Sequence, residues 1–292
     1  MVTASNTKTA VRTAAAAKVA IVAKDVLLAP IYLYQGRKVK RDTIRLPEPK
    51  GARWGSVKLE KTRATNAKPT LNLMIVGDSS AAGVGSQSQQ QALAGRLIPS
   101  LVQQSVINSN FAQLDWSLQA TTGHTSFDIL RRLYVLPTPC EPIDVMILSL
   151  GVNDATSNVA TKTWRRQLED IIEVAKRKFG VKTIVFSSLP PMAKMPALPA
   201  PLNEFIGAKA AKLDTILQQV CAMHDGVYYM GADFTRMAEE HRSKGDNSNG
   251  EPIDGTVMFA SDGFHPSSIT YGYWAQQLSD LISALLAREN TN

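Results

Sequence analysis

The sequence predicts an α/β protein, a three-layer α/β/α sandwich whose mostly parallel, five-stranded sheet is covered by helices on both faces. Two observations predict this class. Short apolar runs recur from residue 71 onward, and amphipathic helical stretches fill the intervals between them. Such alternation is typical of right-handed βαβ units, which build parallel sheets. In these sheets, functional residues gather at the carboxyl ends of the strands.

The strands and helices follow from the apolar periodicity. Five runs are predicted as strands, at residues 71–76, 116–120, 145–150, 183–186 and 227–229. Helices are predicted at about 89–107, 126–135, 161–179, 204–224 and 268–288. The strands are short and apolar, whereas the helical stretches are amphipathic, which distinguishes the two kinds of element.

Composition and charge divide the chain into two parts. With 292 residues and 44% apolar content, it can bury one sizeable core. Residues 1–68 hold 15 Lys and Arg against 4 Asp and Glu, a net charge of +11, which leaves −4 for residues 69–292. We therefore expect a basic N-terminal extension over 1–68 and a second domain, which contains the sheet, over 69–292. The acidic balance of the larger part argues against a nucleic-acid partner.

The two cysteines give no sign of a metal site. Cys140 and Cys221 lie far apart, without a CxxC pattern or a histidine at ligand spacing. Neither a disulfide framework nor a zinc site is expected. The sequence implies no metal and no cofactor.

The N-terminal extension contains a broken apolar segment. Residues 1–17 are expected to be disordered or a frayed helix. Residues 19–34 are apolar but are interrupted by Lys24, Asp25 and Pro30, so they form neither a clear cleavable signal peptide nor a standard transmembrane helix. The apolar side chains that share one helical face are Val19, Val22, Val26, Ala29 and Leu33.

Two interpretations of this segment stay open. A basic cluster follows it directly, formed by Arg37, Lys38, Lys40 and Arg41. An apolar stripe beside such a cluster can make peripheral contact with an anionic membrane. The alternative is a helix that docks on the protein's own core. A cytoplasmic or peripherally membrane-associated protein is favoured, and residues 42–68 are expected to form an extended connection.

The first candidate site follows the first strand. The segment runs Gly77-Asp78-Ser79-Ser80-Ala81-Ala82-Gly83. Small residues on both sides would let a serine hydroxyl stand free at the strand end, which suits a nucleophile whose intermediate carries an oxyanion. An ordinary Gly-Asp-Ser loop is the alternative. Neither GxGxxG nor GxxxxGK[ST] occurs there, so a phosphate-binding loop is not indicated.

The second candidate site precedes the last helix, in Ser261-Asp262-Gly263-Phe264-His265-Pro266. A serine nucleophile needs a base that is neutral near pH 7, and histidine supplies one. A carboxylate usually fixes the imidazole tautomer, and Asp262, three residues away, is suitably spaced. A structural turn with a surface histidine is the alternative.

Two further segments follow predicted strands. Asn153, in Leu150-Gly151-Val152-Asn153-Asp154, can aim a side-chain N–H at a developing oxyanion. Gly123, in Ala120-Thr121-Thr122-Gly123-His124, permits close backbone approach to a ligand. Either segment alone is equally compatible with a turn.

Together the four segments resemble, in order and spacing, the four blocks of the SGNH or GDSL hydrolase superfamily: Gly-Asp-Ser, Gly, Gly-x-Asn-Asp and Asp-x-x-His. The resemblance covers about residues 70–285. It implies a flavodoxin-like sandwich in which Ser79 is the nucleophile and Asp262 and His265 complete a triad. It also implies an oxyanion hole formed by the Ser79 N–H, the Gly123 N–H and the Asn153 side chain. The residue after Ser79 is Ser80 where the name motif has Leu, at a position that varies in the family.

The expected activity is hydrolysis of small-molecule carboxylic esters through an acyl-enzyme on Ser79. Small residues around Ser79 favour short acyl chains. The proline-rich loop 188–203 carries candidate substrate-binding side chains, Met192, Met195 and Leu198, although a stiff connection packed on the core is equally compatible. One alternative function is a carbohydrate or polysaccharide O-acetylesterase. The alternative from another class is a non-catalytic, membrane-associated scaffold. The oligomeric state is not predicted.

Overall fold

A six-stranded sheet forms the centre of the molecule. The structure, a computed structural model, describes residues 3–59, 68–232 and 255–289. The strands are β1 (Trp54–Lys58), β2 (Thr70–Gly77), β3 (Gln113–Ala120), β4 (Val145–Ser149), β5 (Thr183–Ser187) and β6 (Val227–Met230). Their order is β1-β3-β2-β4-β5-β6, and every neighbouring pair is parallel except β1 and β3. The predicted mostly parallel α/β sandwich is confirmed.

Helices connect the successive strands from β2 to β6 and cover the sheet. They are α1 (Thr3–Asp42), α2 (Ser79–Ala82), α3 (Leu93–Val102), α4 (Ser105–Asn110), α5 (Ser126–Val135), α6 (Val152–Thr156), α7 (Thr161–Phe179), α8 (Leu202–Ala222) and α9 (Ser268–Glu289). Short 3₁₀ turns occur at Gln89–Gln91, Met192–Lys194 and Gly255–Met258. The predicted helices at 126–135 and 161–179 have the predicted bounds. The predicted helix 89–107 is divided into a 3₁₀ turn, α3 and α4, since Gln104 has extended backbone.

Each face of the sheet carries its own apolar core. Along β2, Met74 and Val76 point to the core formed with α5, α7 and α8, whereas Leu73 and Ile75 point to the core formed with α3 and α9. This alternation follows from the two-residue period of a strand. All five residues of β4 and of β5 are buried, as expected of strands covered on both faces. The three layers are therefore helices, sheet and helices.

The prediction of five strands was wrong by one. β1 lies within residues 42–68, which were predicted as an extended connection, and pairs antiparallel with β3 at the edge of the sheet. Its side chains alternate between exposed and half-buried, and its sequence Trp-Gly-Ser-Val-Lys contains no apolar run. A short edge strand of this kind has little apolar surface to bury, so the periodicity that identified the central strands does not detect it.

The N-terminal helix begins at Thr3, within the stretch expected to be disordered or frayed. It docks through Leu28, Tyr32 and Val39, which pack on the core beside α7 and α8. The Tyr32 ring stacks on Phe205 with 4.3 Å between the ring centroids. In the described part of the chain, no helix combines the length and apolarity needed to cross a membrane.

Candidate active site

A serine, a histidine and an aspartate are joined by hydrogen bonds at the carboxyl edge of the sheet. His265 Nε2 lies 2.9 Å from Ser79 Oγ, and His265 Nδ1 lies 2.6 Å from Asp262 Oδ2. When Nδ1 carries the proton, it donates to Asp262 and leaves Nε2 free to accept from Ser79. The Asp262 side chain is 1% exposed and that of His265 is 17% exposed. The structure thus brings together three residues that are 186 positions apart at their extremes.

The end of β2 positions Ser79. Asp78 caps the short helix α2, because its Oδ1 accepts the Ser80 N–H at 3.0 Å, and Ser79 is the first helical residue. Gly77 comes directly before this turn. A Cβ atom at Gly77 would lie 2.3 Å from the Ser149 carbonyl oxygen, so only glycine lets β2 and β4 approach this closely at the site. The glycine before the turn is therefore required by the packing of β2 against β4.

A compact turn orients His265. Asp262 Oδ1 accepts the backbone N–H groups of Phe264 at 2.9 Å and His265 at 3.0 Å, while Oδ2 receives the imidazole. Gly263 adopts φ +65°, the left-handed region that favours glycine, and a Cβ there would meet Ala197 at 3.0 Å. One carboxylate thus holds both the turn and the ring.

The same three hydrogen bonds decide the charge of Asp262. Burial opposes its ionisation, but the hydrogen bonds from the His265 ring and from the two backbone N–H groups outweigh burial, so the pKa of Asp262 lies below its ordinary value. An ionised Asp262 fixes the imidazole tautomer and favours the imidazolium when His265 takes up a proton.

The predicted oxyanion-hole residues lie around Ser79. Asn153 is in α6, directly after β4, and its Nδ2 donates to the His124 carbonyl oxygen at 3.0 Å and lies 3.5 Å from Asp78 Oδ2. Gly123 precedes His124 and adopts φ +85°, with open space where a Cβ would point. Asn153 therefore joins the loop after β3 to the turn that carries Ser79.

Two backbone N–H groups at the site are available to a ligand. Among the described residues, neither the Ser79 N–H nor the Gly123 N–H donates a hydrogen bond. Gly123 is exposed, and its left-handed backbone sets the direction of its N–H. Two free N–H groups beside a side-chain amide are the set of donors that stabilises an oxyanion in acyl-transfer enzymes.

Two buried carboxyl groups lie behind these donors. Asp78 is 1% exposed and its pKa is raised to about 7, chiefly by burial and secondarily by the nearby Asp154, although the Ser80 N–H and His265 act in the opposite direction. Burial also raises the pKa of Asp154, which accepts the backbone N–H and the hydroxyl of Ser126. These acids are quoted in two of the four motifs, but the sequence analysis assigned them no role.

The cavity at Ser79 is narrow, with about 20 Å³ of free volume. Its walls come from four segments of the chain, and its lining is Ser79, Ser80, Val152, Pro190, Met195, Met258, Phe259, Phe264, His265 and Pro266. Pro190 also lines a neighbouring cavity of about 420 Å³, next to β5, β6 and α8. The site therefore adjoins a space large enough for a small molecule.

The three candidate substrate-binding side chains lie in different places. Met195 lines the cavity at Ser79, and Met192 lines the neighbouring one. Leu198 is 7% exposed within the core and lines neither of these two cavities. These positions depend on how the loop folds against its surroundings, and this cannot be inferred from composition. In the described residues, no group of three or more His, Cys, Asp or Glu side chains is arranged to hold a metal ion.

Sequence reasoning also missed one contribution of His124, to which it assigned no role. Its carbonyl oxygen holds Asn153, and its Nδ1 is buried without a hydrogen-bond partner in the described part of the chain. The only sequence signal was its position beside Gly123.

A three-layer α/β/α sandwich with Ser, His and Asp joined in this way at the carboxyl edge of its sheet defines a class, the serine hydrolases with a flavodoxin-like fold. Residues 75–273 match the model of the GDSL-like lipase/acylhydrolase family. This match covers more than half of the chain, and the chain belongs to that family.

Individual relatives are distant. A GDSL-like esterase of Mycobacterium tuberculosis is 22% identical over 214 residues, which are 71% of this chain and 60% of the relative, so the chain spans less than two thirds of that protein. The structure of a psychrotrophic esterase of a Pseudoalteromonas species superposes with a TM-score of 0.51 at 16% identity, over 75% of this chain and 100% of that one. A lipase/acylhydrolase of Enterococcus faecalis gives a TM-score of 0.49 at 19% identity, over 73% and 96% of the two chains. At these identities, the likeness of the esterase structure concerns the fold.

Replacing Asp78 with Asn should change the free energy of unfolding in a pH-dependent way. The pKa of Asp78 is about 7 in the folded chain against an ordinary value of 3.8, so between these values the folded state retains a proton that the unfolded state has lost. This group therefore makes the wild type less stable as pH rises from about 4 to 7. Asn cannot ionise, so its burial causes no such pH-dependent loss of stability. Relative to wild type, Asp78→Asn should gain a few kcal/mol over this range, measured by urea unfolding at pH 4, 5.5 and 7.

Asp225→Asn removes an exposed carboxylate and serves as the control for that experiment. If the difference between Asp78→Asn and wild type stays constant from pH 4 to 7, the raised pKa does not belong to Asp78.

Proposed function

We propose that this chain hydrolyses carboxylic esters of small molecules through an acyl-enzyme on Ser79, and that it prefers short acyl chains. The observation that carries the proposal is the pair of hydrogen bonds of His265, 2.9 Å to Ser79 Oγ and 2.6 Å to Asp262 Oδ2. A nucleophile in contact with its base, and a base held by a carboxylate, are the two requirements for activating a serine hydroxyl.

Acylation begins when Ser79 Oγ attacks the ester carbonyl carbon and His265 Nε2 takes the hydroxyl proton. The tetrahedral intermediate then carries its negative charge on the former carbonyl oxygen. His265 returns the proton to the departing alcohol oxygen as the bond between carbon and that oxygen breaks. Asp262 keeps Nδ1 protonated throughout and stabilises the imidazolium that forms between the two transfers.

The oxyanion is stabilised by the Ser79 N–H, the Gly123 N–H and one N–H of the Asn153 amide. Asn153 has two amide hydrogens, and one of them is donated to His124. That hydrogen bond fixes the plane of the amide, and the longer hydrogen bond of 3.5 Å to Asp78 Oδ2 is the one that the oxyanion would replace in the transition state. Donors that are held in place before the reaction need no reorganisation when charge develops.

Deacylation repeats these steps with water as the nucleophile. His265 Nε2 removes a proton from water, the resulting hydroxide attacks the acyl carbon, and Ser79 Oγ leaves with the proton from His265. The products are the carboxylic acid and the free enzyme.

The preference for short acyl chains is supported by the size of the cavity at Ser79. About 20 Å³ of free volume is little more than a single small group occupies. In its lining, Val152 and Met195 are buried in the core and Phe264 packs against it, so a long acyl chain would have to displace packed side chains.

A second candidate function, hydrolysis of O-acetyl groups from a carbohydrate, is favoured by the neighbouring cavity. Polar side chains line its volume of about 420 Å³, among them Ser188, Asp214 and Tyr229. A sugar, which carries hydroxyl groups on a ring of apolar C–H groups, suits a lining in which these polar side chains stand among apolar ones such as Leu189 and Met192. Rates on acetylated xylose and on an aryl acetate, compared for the same preparation, distinguish the two candidates.

Ser79→Ala should abolish ester hydrolysis while the fold is retained. Loss of the nucleophile should lower kcat by several orders of magnitude, on the order of 10⁴ or more. The matched control is Ser80→Ala, the neighbouring hydroxyl in the same cavity, which should keep activity within a few-fold of wild type. Turnover of p-nitrophenyl acetate is measured for the three proteins, together with labelling by a fluorescent organophosphonate.

Labelling of wild type and Ser80→Ala, but not Ser79→Ala, is the expected pattern. A folded Ser79→Ala protein with near-normal turnover would refute the assignment. An unlabelled, inactive wild type would instead favour the non-catalytic scaffold.

The acyl-chain series gives a separate expectation. For p-nitrophenyl esters of two to ten acyl carbons, kcat/KM should be highest at two to four carbons and should fall by at least about tenfold at eight, since each added methylene meets a packed wall. Met195→Ala, which removes part of that wall, should reduce the difference between short and long chains. A wild-type rate that increases with chain length would contradict the small acyl site.

Asn153→Ala should lower kcat by roughly 10² to 10³ with a smaller change in KM, because the amide acts on charge that develops in the transition state. Thr156→Ala, an exposed change on the same helix, is the control and should be near wild type. Steady-state kinetics on one aryl acetate decide the matter. An effect confined to KM would make Asn153 a substrate-binding residue.

A further inference from the structure

One face of helix α1 holds it against the protein. Tyr32 is 7% exposed and stacks on Phe205 of α8. Gln35 adds two hydrogen bonds: its Nε2 donates to the Ala200 carbonyl oxygen at 2.7 Å, and its Oε1 accepts the Leu202 N–H at 3.2 Å. With Leu28 and Val39 on the same face, these contacts fix the rotation of α1 about its axis. The opposite face therefore cannot turn inward.

That opposite face is apolar. Its exposed fractions are 68% for Val26, 79% for Leu27, 44% for Ile31, 63% for Leu33 and 68% for Tyr34. Five of the 11 exposed large apolar side chains of the described chain thus lie within nine consecutive residues. Exposed apolar side chains that are scattered singly need no explanation, but a contiguous group of this kind marks an interaction surface.

A basic cluster continues the same face by one to two turns. Arg37, Lys38, Lys40 and Arg41 are all exposed. Arg41 pairs with Asp42 at 2.7 Å, whereas Arg37, Lys38 and Lys40 make no ion pair with any described residue. Leu27, Ile31, Tyr34, Lys38 and Arg41 follow one another at intervals of three and four, so apolar and basic side chains share one stripe about 20 Å long.

We propose that the exposed side of α1, which includes this stripe and is called the α1 patch (Val26, Leu27, Ile31, Leu33, Tyr34, Arg37, Lys38, Lys40 and Arg41), binds the surface of an anionic membrane. Apolar side chains enter the boundary between headgroups and acyl chains, and Lys and Arg pair with lipid phosphates and carboxylates. The positive charge of residues 1–68, against the net negative charge of the rest, complements such a surface. Binding at this depth needs no transmembrane span.

The docked face gives the patch a fixed relation to the candidate active site. Lys38 and Ile44 line a surface cleft together with Ser261 and Asp262. The loop that receives Gln35 also contains Ala197, whose N–H donates to the Gly263 carbonyl oxygen at 3.1 Å. Membrane binding through the α1 patch therefore places the Asp262 turn close to the lipid surface. The proposal does not depend on the reaction at Ser79.

The test uses the full chain and sedimentation with two kinds of vesicle, pure phosphatidylcholine and phosphatidylcholine with 30% phosphatidylserine. Wild type should bind the anionic vesicles, and 0.5 M salt should weaken that binding. Leu27→Asp/Ile31→Asp should reduce the apparent affinity at least tenfold. Arg37→Gln/Lys38→Gln should reduce it by roughly 25-fold, about fivefold for each basic residue removed.

Val135→Asp is the matched control, since Val135 is 82% exposed on another helix. It should bind like wild type. Circular dichroism and turnover of a soluble ester verify that the variants are folded, because no changed residue lies in the cavity at Ser79.

Three results would overturn the proposal. The first is no binding of wild type to the anionic vesicles. The second is equal binding by wild type and Leu27→Asp/Ile31→Asp, which would show that the apolar side chains of the patch do not contact the membrane. The third is a dimer, seen by light scattering, that Leu27→Asp/Ile31→Asp dissociates while vesicle binding is absent. The patch would then be an interface between two copies of the chain.

Discussion

The candidate site depends on the register of three parallel strands. Gly77 at the end of β2 pairs with Ala120 of β3 on one side and with Ser149 of β4 on the other. The three strands therefore end at the same level, and the loops that follow them start side by side. Ser79, Gly123 and Asn153 each lie two to four residues beyond that level, which is why segments distant in sequence supply one cluster of donors. A shift of one residue in either pairing would reverse the faces of a strand and separate the cluster.

Electrostatics then distinguishes the acids that meet at this edge of the sheet. Asp262 receives three hydrogen bonds and its pKa lies below the ordinary value, whereas burial raises the pKa of Asp78 to about 7. A carboxylate is useful behind His265, because it stabilises the imidazolium. Beside the proposed oxyanion position, a second negative charge would oppose the reaction. Up to about pH 7 the environment of Asp78 favours its neutral form. Two carboxyl groups of the same chemistry thus differ in charge: Asp262 is ionised behind His265, and Asp78 is neutral near the proposed oxyanion.

The sequence was sufficient for the parts of the molecule that local pattern dictates. The five mutually parallel strands and the helices at 126–135 and 161–179 follow from apolar periodicity, and the order of the four motifs identified the residues that meet at the sheet edge. β1 was missed because an edge strand buries little surface. The different positions of Met195 and Leu198 depend on how one loop folds against its surroundings. The raised pKa of Asp78 could not be predicted from the sequence either, since burial is a property of the assembled fold.

Helix α1 shows why apolar periodicity predicts that a helix forms more readily than it predicts which surface the helix packs against. The stripe predicted from Val26, Ala29 and Leu33 includes two side chains that are exposed, while the docked face is formed by Leu28, Tyr32 and Val39. A helix with one partner needs one apolar stripe, and its other face is normally polar. α1 has apolar side chains on both sides, and burial of one side by α8 does not account for the other. Exposing five large apolar side chains has a free-energy cost in water, which a second partner would remove. Since that side continues into Arg37, Lys38 and Lys40, which make no ion pair with the described residues, the partner it fits is itself apolar beneath and negatively charged at its surface.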